Sequence, residues 1–158
     1  MTEIADSQDP SLAMVLEYRD SPGVDATALA NRQSLLDAFE QLVEGNDGPF
    51  WALFDPDASF HEASCLPYGG SHEGLDAVKR AYEHMSSTYS GMRSVFHEVL
   101  TAGEYCILYQ TITFTVAANG NTGTLPVAEM FRFRDGRIVE WRANYFDACM
   151  VAKAIAGE

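Results

Sequence analysis

Two glutamates stand where an apolar strand face is expected. In Leu125–Phe133, a period of two puts Leu125, Val127, Phe131 and Phe133 on one side with Glu129 in their midst, while Arg132 and Arg134 point the other way. In Ala58–Glu62, Phe60 and Glu62 share one face and Ser59 and His61 the other. A carboxylate in apolar surroundings is costly to ionise. Such a group is either a structural partner of a buried arginine or a proton donor or acceptor in catalysis. A pair of them could divide the roles: Glu129, deeper in the apolar face, stays neutral and donates a hydrogen bond. Glu62, nearer water, stays ionised and acts as base. His61 and His97 are the imidazoles that could relay protons to them. His61 would reach the Glu62 side only through a bulge, because a one-residue slip swaps the faces. Asp147 is a third candidate carboxylate, and it reads equally well as the N-cap of a closing helix.

The residues that would line a substrate site are mostly aromatic: Phe39, Trp51, Phe54, Phe60, Tyr68, Tyr82 and Phe131, with Met85. Tyr68 could donate to an enolate or phenolate, or simply pack at a pocket mouth. Asn144 could orient a carbonyl, or occupy a strand irregularity beside Tyr145. His72 could face the same space, whereas His84 reads as exposed. The chain carries no glycine-rich phosphate loop, no histidine pair at metal-ligand spacing and no serine nucleophile motif. The chemistry left is proton transfer without cofactor or metal: isomerisation, elimination, aldol-type cyclisation or retro-aldol cleavage.

The elements that must position these groups follow from periodicity and punctuation. Leu29, Leu35, Leu36, Phe39, Leu42 and Val43 predict a helix over 26–43, stopped by Glu44-Gly45-Asn46-Asp47-Gly48. Pro49 opens a short helix over 50–54. A strand over 58–62 leads into a loop over 65–72, and Ala77, Val78, Ala81, Tyr82 and Met85 form the inner stripe of a helix over 75–89. Strands follow over 92–100, 105–117, 122–134 and 138–146, hinged at Asn119-Gly120-Asn121 and Asp135-Gly136. Ala148–Ile155 closes as a helix. Helices first and long hairpins later predict an α+β fold, a curved antiparallel sheet wrapped as a cone around the long helix. Its open end would take a small apolar molecule. Residues 1–24 read as an arm, polar and acidic at first and apolar from Leu12 to Tyr18. Residues 25–158 read as a single domain.

Composition narrows the partners. The 158 residues are 47% hydrophobic, enough for one real core. A net charge of -13 repels nucleic-acid backbones and anionic membranes. No apolar run approaches the roughly 20 residues that span a bilayer. Cys65, Cys106 and Cys149 make an odd, unpatterned set, which suggests the reducing cytoplasm.

Asp57-Ala-Ser-Phe-His-Glu62, Pro67-Tyr-Gly-Gly70, Glu73-Gly-Leu-Asp-Ala-Val78 and Phe133-Arg-Asp-Gly-Arg-Ile-Val-Glu-Trp-Arg142, in this order of elements, resemble the nuclear transport factor 2-like superfamily. Within it the chain is most similar to SnoaL-like proteins, with ketosteroid isomerase a related enzyme. The resemblance covers about residues 26–156 and implies a cystatin-like α+β barrel. It implies a homodimer with sheets packed face to face; a trimer of the scytalone dehydratase type is the alternative. It implies a base at Glu62 and a protonated acid at Glu129, as in ketosteroid isomerase, where a carboxylic acid is kept neutral so that it can donate a hydrogen bond. The helix tyrosine of that enzyme is matched here by Phe39, which argues against ordinary steroid isomerisation. Trp141-Arg-Ala-Asn-Tyr-Phe-Asp147 resembles limonene epoxide hydrolase, but Asn144 stands where that enzyme needs an aspartate, and the long middle strand lacks its Arg and Asp. SnoaL-like cyclases place an acid/base aspartate near Asp147. The functional reading implied is a cofactor-independent lyase or isomerase for a small apolar cyclic or aromatic substrate, polyketide-, steroid- or phenolic-like. The alternative is a non-catalytic ligand-binding or dimerisation module of the same fold.

Overall fold

The computed structural model describes residues 24–158, so the expected N-terminal arm lies almost wholly outside the described residues. The elements are α1 (Ala26–Val43), α2 (Gly48–Ala52), β1 (Phe54–Glu62), β2 (Gly70–Glu73), α3 (Leu75–Thr88), β3 (Tyr89–Ala102), β4 (Tyr105–Val116), β5 (Thr122–Arg134), β6 (Arg137–Tyr145) and α4 (Ala148–Ala156). Asp25 caps α1, its carboxylate accepting from the Ala28 backbone N–H at 2.7 Å. Past the helix end, Gly45 takes φ +88°, a left-handed conformation that glycine adopts without strain. Asp135 and Gly136 both have positive φ, as the tight β5–β6 hairpin requires.

The six strands form one curved, unclosed sheet in the order β2-β1-β6-β5-β4-β3. The four strands β3 to β6 pair antiparallel as expected. The β1–β6 pair is parallel, which corrects the expectation of a purely antiparallel sheet. The chain crosses from β1 through β2, α3 and three more strands before β6 returns beside it. A second correction concerns residues 70–72, read as the end of a loop: with Glu73 they pair with β1 as a short strand. β1 itself begins earlier, at Phe54, and α2 correspondingly ends before it.

The concave face of the sheet holds the core. Ala58 and Phe60 on β1, Leu108 on β4, Phe131 and Phe133 on β5 and Trp141 on β6 pack with Phe50 and with Leu35 and Ala38 of α1. The buried stripe of α1 is Ala28, Asn31, Leu35 and Ala38. Leu29 and Val43, expected in the core, are exposed, because the helix is rotated so that its small residues meet the sheet. A second cluster joins Tyr68, Ile112, Phe114, Leu125, Val127 and Val151 of α4 at the other end of the concave face.

Candidate active site

The local folding of β1, β4, β5 and β6 sends four polar side chains into this apolar interior. Alternation along β1 buries Ala58, Phe60 and Glu62 together. On β5, Glu129 follows Leu125 and Val127 on the inner face and precedes Phe131. Glu129 lies opposite Leu108 on β4 and Ala143 on β6, so Gln110 and Trp141 are its diagonal neighbours on either side. The amide of Gln110 donates from Nε2 to Glu129 Oε1 at 2.7 Å, and the Trp141 indole N–H donates to Oε2 at 3.0 Å. Both oxygens of Glu129 therefore meet fixed N–H donors. At Glu62, the Tyr145 hydroxyl donates to Oε1 at 3.1 Å, while the buried Oε2 has no partner. Tyr68 and Tyr89 extend the polar interior, their hydroxyls 2.6 Å apart.

These contacts set the acidities. Burial pushes Glu62 up to about 8; Tyr145 and the Ala63 backbone N–H oppose that shift, and the charge of Glu129 adds to it. Burial also raises Glu129, but only to about 7, because Trp141 and Gln110 stabilise its charged form. Glu129 keeps more residual surface than Glu62, yet desolvation remains the largest influence on both. Burial makes both carboxyls hard to ionise, Glu62 as well as Glu129, whereas the expectation had Glu62 ionised near water. Burial also raises the phenols of Tyr68 and Tyr145, with the charge of Glu62 adding to both.

Several expected site residues lie elsewhere. His61 is on the outer face: no bulge reverses it where it pairs with Ser71, and its ring nitrogens meet Ser71 Oγ at 2.9 Å and Ser59 Oγ at 3.1 Å. Glu140, held by Arg142 and Arg132, lies beyond it at 3.8 Å. His97 is exposed at a β3 irregularity, 2.7 Å from Thr111 Oγ1 and beside the Tyr109 ring. Asp147 is exposed and accepts from the Met150 backbone N–H at 2.9 Å, so it is a helix cap. Asn144 faces outward and donates to the Ala128 carbonyl. His72 bonds the Tyr68 carbonyl.

The expected wall residues are largely together. Phe60 stacks on Trp141 with centroids 4.2 Å apart, and Phe131 stacks on its other side at 5.5 Å. Phe39 meets Phe50 and Phe131 edge-on, Trp51 meets Tyr82, and Phe54 packs on Phe50. Met85 packs with the Tyr68 cluster. Three contributors were not singled out from sequence: Gln110, Trp141 and Tyr89. Gln110 had a signal, being the one polar residue in the run Cys106, Leu108, Gln110, Ile112, Phe114 along the inner face of β4.

Two openings reach this region. A cleft of about 970 Å³ lies outside α2 and α3, lined by Asp47, Trp51, Lys79, Tyr82 and Ser86. It is the larger, and Trp51 and Tyr82 join it to the interior, Trp51 packing on Phe50 and Phe54 and Tyr82 lying 6.1 Å from the Trp141 ring. A hollow of about 360 Å³ lies between α1 and the sheet, lined by Leu36, Phe39, Val43, Phe96, Val99 and Leu108, with Glu40 and Glu44 at its rim. Register sets it beside Glu129 and Gln110: Leu108 is paired with Glu129, and Phe96 with Gln110. Among the described residues, no group of three or more His, Cys, Asp or Glu side chains is arranged to hold a metal ion.

A model of the SnoaL-like domain matches residues 34–141. The chain belongs to the SnoaL-like family. Solved structures agree with its architecture. An NTF2-like protein of unknown function from Burkholderia pseudomallei K96243 is 25% identical, with a TM-score of 0.69 over 77% of this chain and 95% of its own. A candidate SnoaL-like polyketide cyclase from Jannaschia sp. CCS1 is 17% identical, with a TM-score of 0.73 over 85% and 96%. A candidate isomerase from Rhodopseudomonas palustris is 13% identical, with a TM-score of 0.63 over 81% and 97%. At these identities the latter two establish a shared fold only. No curated protein matches the chain. Among the described residues no helix is long and apolar enough to cross a membrane.

Proposed function

We propose that this SnoaL-like protein is a cofactor-independent isomerase or lyase that moves a proton within a small, mostly apolar cyclic or aromatic substrate. The observation that carries this reading is the buried carboxyl pair, with Glu129 held by two N–H donors and Glu62 by one hydroxyl. When one of the two carboxyls is ionised, the two side-chain N–H donors on Glu129 favour the charge there and the proton on Glu62. Glu129 then removes a proton from carbon beside a carbonyl, and Glu62 donates a hydrogen bond to the oxygen that becomes an enolate. Returning the proton at another carbon gives isomerisation; loss of a β-substituent gives elimination. Polyketide-, steroid- and phenolic-like substrates have the required apolar body and acidic C–H. The neighbouring folds described as a cyclase and an isomerase are consistent with such chemistry.

The test needs no knowledge of the natural substrate. Cyclic ketones of graded size, such as 2-tetralone and a steroid enone, are incubated in D₂O, and deuterium uptake beside the carbonyl is followed by NMR. Exchange is expected, and Glu129→Gln should slow it roughly 100-fold or more. Binding without exchange across the panel would favour the ligand-binding module instead.

We also propose a homodimer formed through the outer face of β3 and β4, in a reducing cytoplasm. Val95, Leu100, Tyr105 and Tyr109 are each more than two-fifths exposed. Register puts Val95 opposite Thr111 and Leu100 opposite Ile107, on the face away from Gln110 and Leu108. The three cysteines are free thiols, consistent with that compartment.

A further inference from the structure

Gln110 is almost wholly buried, and only half of its amide is used. Its Nε2 is committed to Glu129, because a carboxylate accepts and cannot donate. The second Glu129 oxygen already takes the Trp141 N–H, so that carboxylate has no proton to offer back. With Glu129 ionised the amide orientation is thereby fixed, and Oε1 is left with no partner. A buried amide oxygen without a donor loses its hydrogen bond to water and gains none in return. The only other buried side-chain oxygen in this condition among the described residues is Glu62 Oε2. Both side chains point to the inner face of the sheet, where Gln110 touches Glu129. The apolar hollow beneath α1 lies beside it: its wall includes Leu108, two residues before Gln110 on the same face, and Phe96, the cross-strand partner of Gln110. A volume of about 360 Å³ lies within the usual range for a small ligand.

We propose that Gln110 is a specificity-determining residue whose free amide oxygen accepts a hydrogen bond from a hydroxyl or N–H of the ligand at the inner end of this hollow. The inference rests on the proposed function for the use of the site and adds the chemical class: an apolar body carrying a donor next to the reacting carbonyl, as in a hydroxylated or enolic ketone. A bare hydrocarbon ketone, or the O-methyl ether of the same body, leaves Oε1 unpaired. A site built to receive a hydroxyl discriminates against its absence far more strongly than an apolar wall discriminates by size. Glu62 Oε2 offers the second contact: protonated, it serves the ligand carbonyl while Gln110 takes the ligand hydroxyl.

The test compares 2-naphthol with its methyl ether, which share a body and differ in the donor. Binding to the full-length protein is followed by NMR titration, with the side-chain carbonyl of Gln110 observed through carbon labelling. The naphthol should bind at least 10-fold more tightly and shift the Gln110 carbonyl; the ether should shift it little. Gln110→Met, similar in size and without the acceptor, should bring the two affinities within about 2-fold. The carbonyl shift in the unaltered protein keeps the test valid should that variant fold poorly. Equal affinities, a preference that survives Gln110→Met, or binding of neither probe would overturn the proposal. Deuterium exchange is scored separately, so a selective but non-catalytic protein and an unselective catalyst give different results.

Discussion

Replacing Glu62 with glutamine should make the protein more stable at alkaline pH and leave it nearly unchanged at mildly acid pH. Burial holds this carboxyl at about 8 in the folded chain against 4.5 for a free one. Between those limits the folded state keeps a proton that the unfolded state has lost. Stability therefore falls as pH rises from about 4.5 and levels off above about 8. Taken at face value the shift corresponds to a ceiling of about 5 kcal/mol at about 1.4 kcal/mol per unit. The two carboxyls titrate as a pair and part of the shift belongs to the charge of Glu129, so about 2 kcal/mol is expected for Glu62 alone. Glutamine keeps an oxygen to accept from Tyr145 and never ionises. The assay is urea unfolding of both proteins in half-unit steps from pH 5 to 9. The two should agree within about 1 kcal/mol at pH 5, and Glu62→Gln should lead by about 2 kcal/mol at pH 9. Parallel curves across that range would refute the buried-acid assignment, and a variant weaker at pH 9 would show that the ionised carboxylate is stabilised in place.

Trp141→Phe removes one of the two donors that keep Glu129 ionisable, so the acid limb of the deuterium-exchange profile should move up by about one pH unit; an unmoved limb would sink the base assignment. His61→Ala, His97→Ala and Asp147→Ala should retain exchange within a few-fold, with Asp147→Ala costing about 1 kcal/mol as a lost helix cap; a 10-fold loss of exchange in any of them would restore it as a catalytic candidate. Gly69→Ala would thrust a Cβ against the carbonyls of Ala63 and Leu66, so the Tyr68 loop should open and thermal unfolding should show a loss above about 2 kcal/mol; a variant of unchanged melting temperature would contradict that packing. Leu100→Glu should convert a dimer to monomer by sedimentation at micromolar concentration, and a wild-type monomer under those conditions would refute the dimer itself.

Much of the architecture was legible because local signals and global fold agree. Alternation placed Glu62 and Glu129 on inner faces, and Asp135-Gly136 and Asn119-Gly120 fixed the hairpins. The parallel β1–β6 pairing was not legible, since nothing in Phe54–Glu62 names its distant neighbour. The rotation of α1 was also hidden: Leu29 and Val43 look as apolar as Leu35, and only close approach to the sheet selects the stripe of Ala28, Asn31, Leu35 and Ala38. The division of acid and base depends on the same kind of long-range information. Viewed along their own strands, Glu62 and Glu129 are alike, and depth in an apolar face ranks Glu129 as the weaker acid. Cross-strand register adds what the strand alone hides. It sets Gln110 and Trp141 diagonally against Glu129, two N–H donors that favour charge, while Glu62 has the Tyr145 hydroxyl and the Ala63 backbone N–H. A one-residue slip of β4 against β5 would turn Gln110 to the outer face and take one of those donors from Glu129. The support of the Glu129 carboxylate is thus a property of strand register.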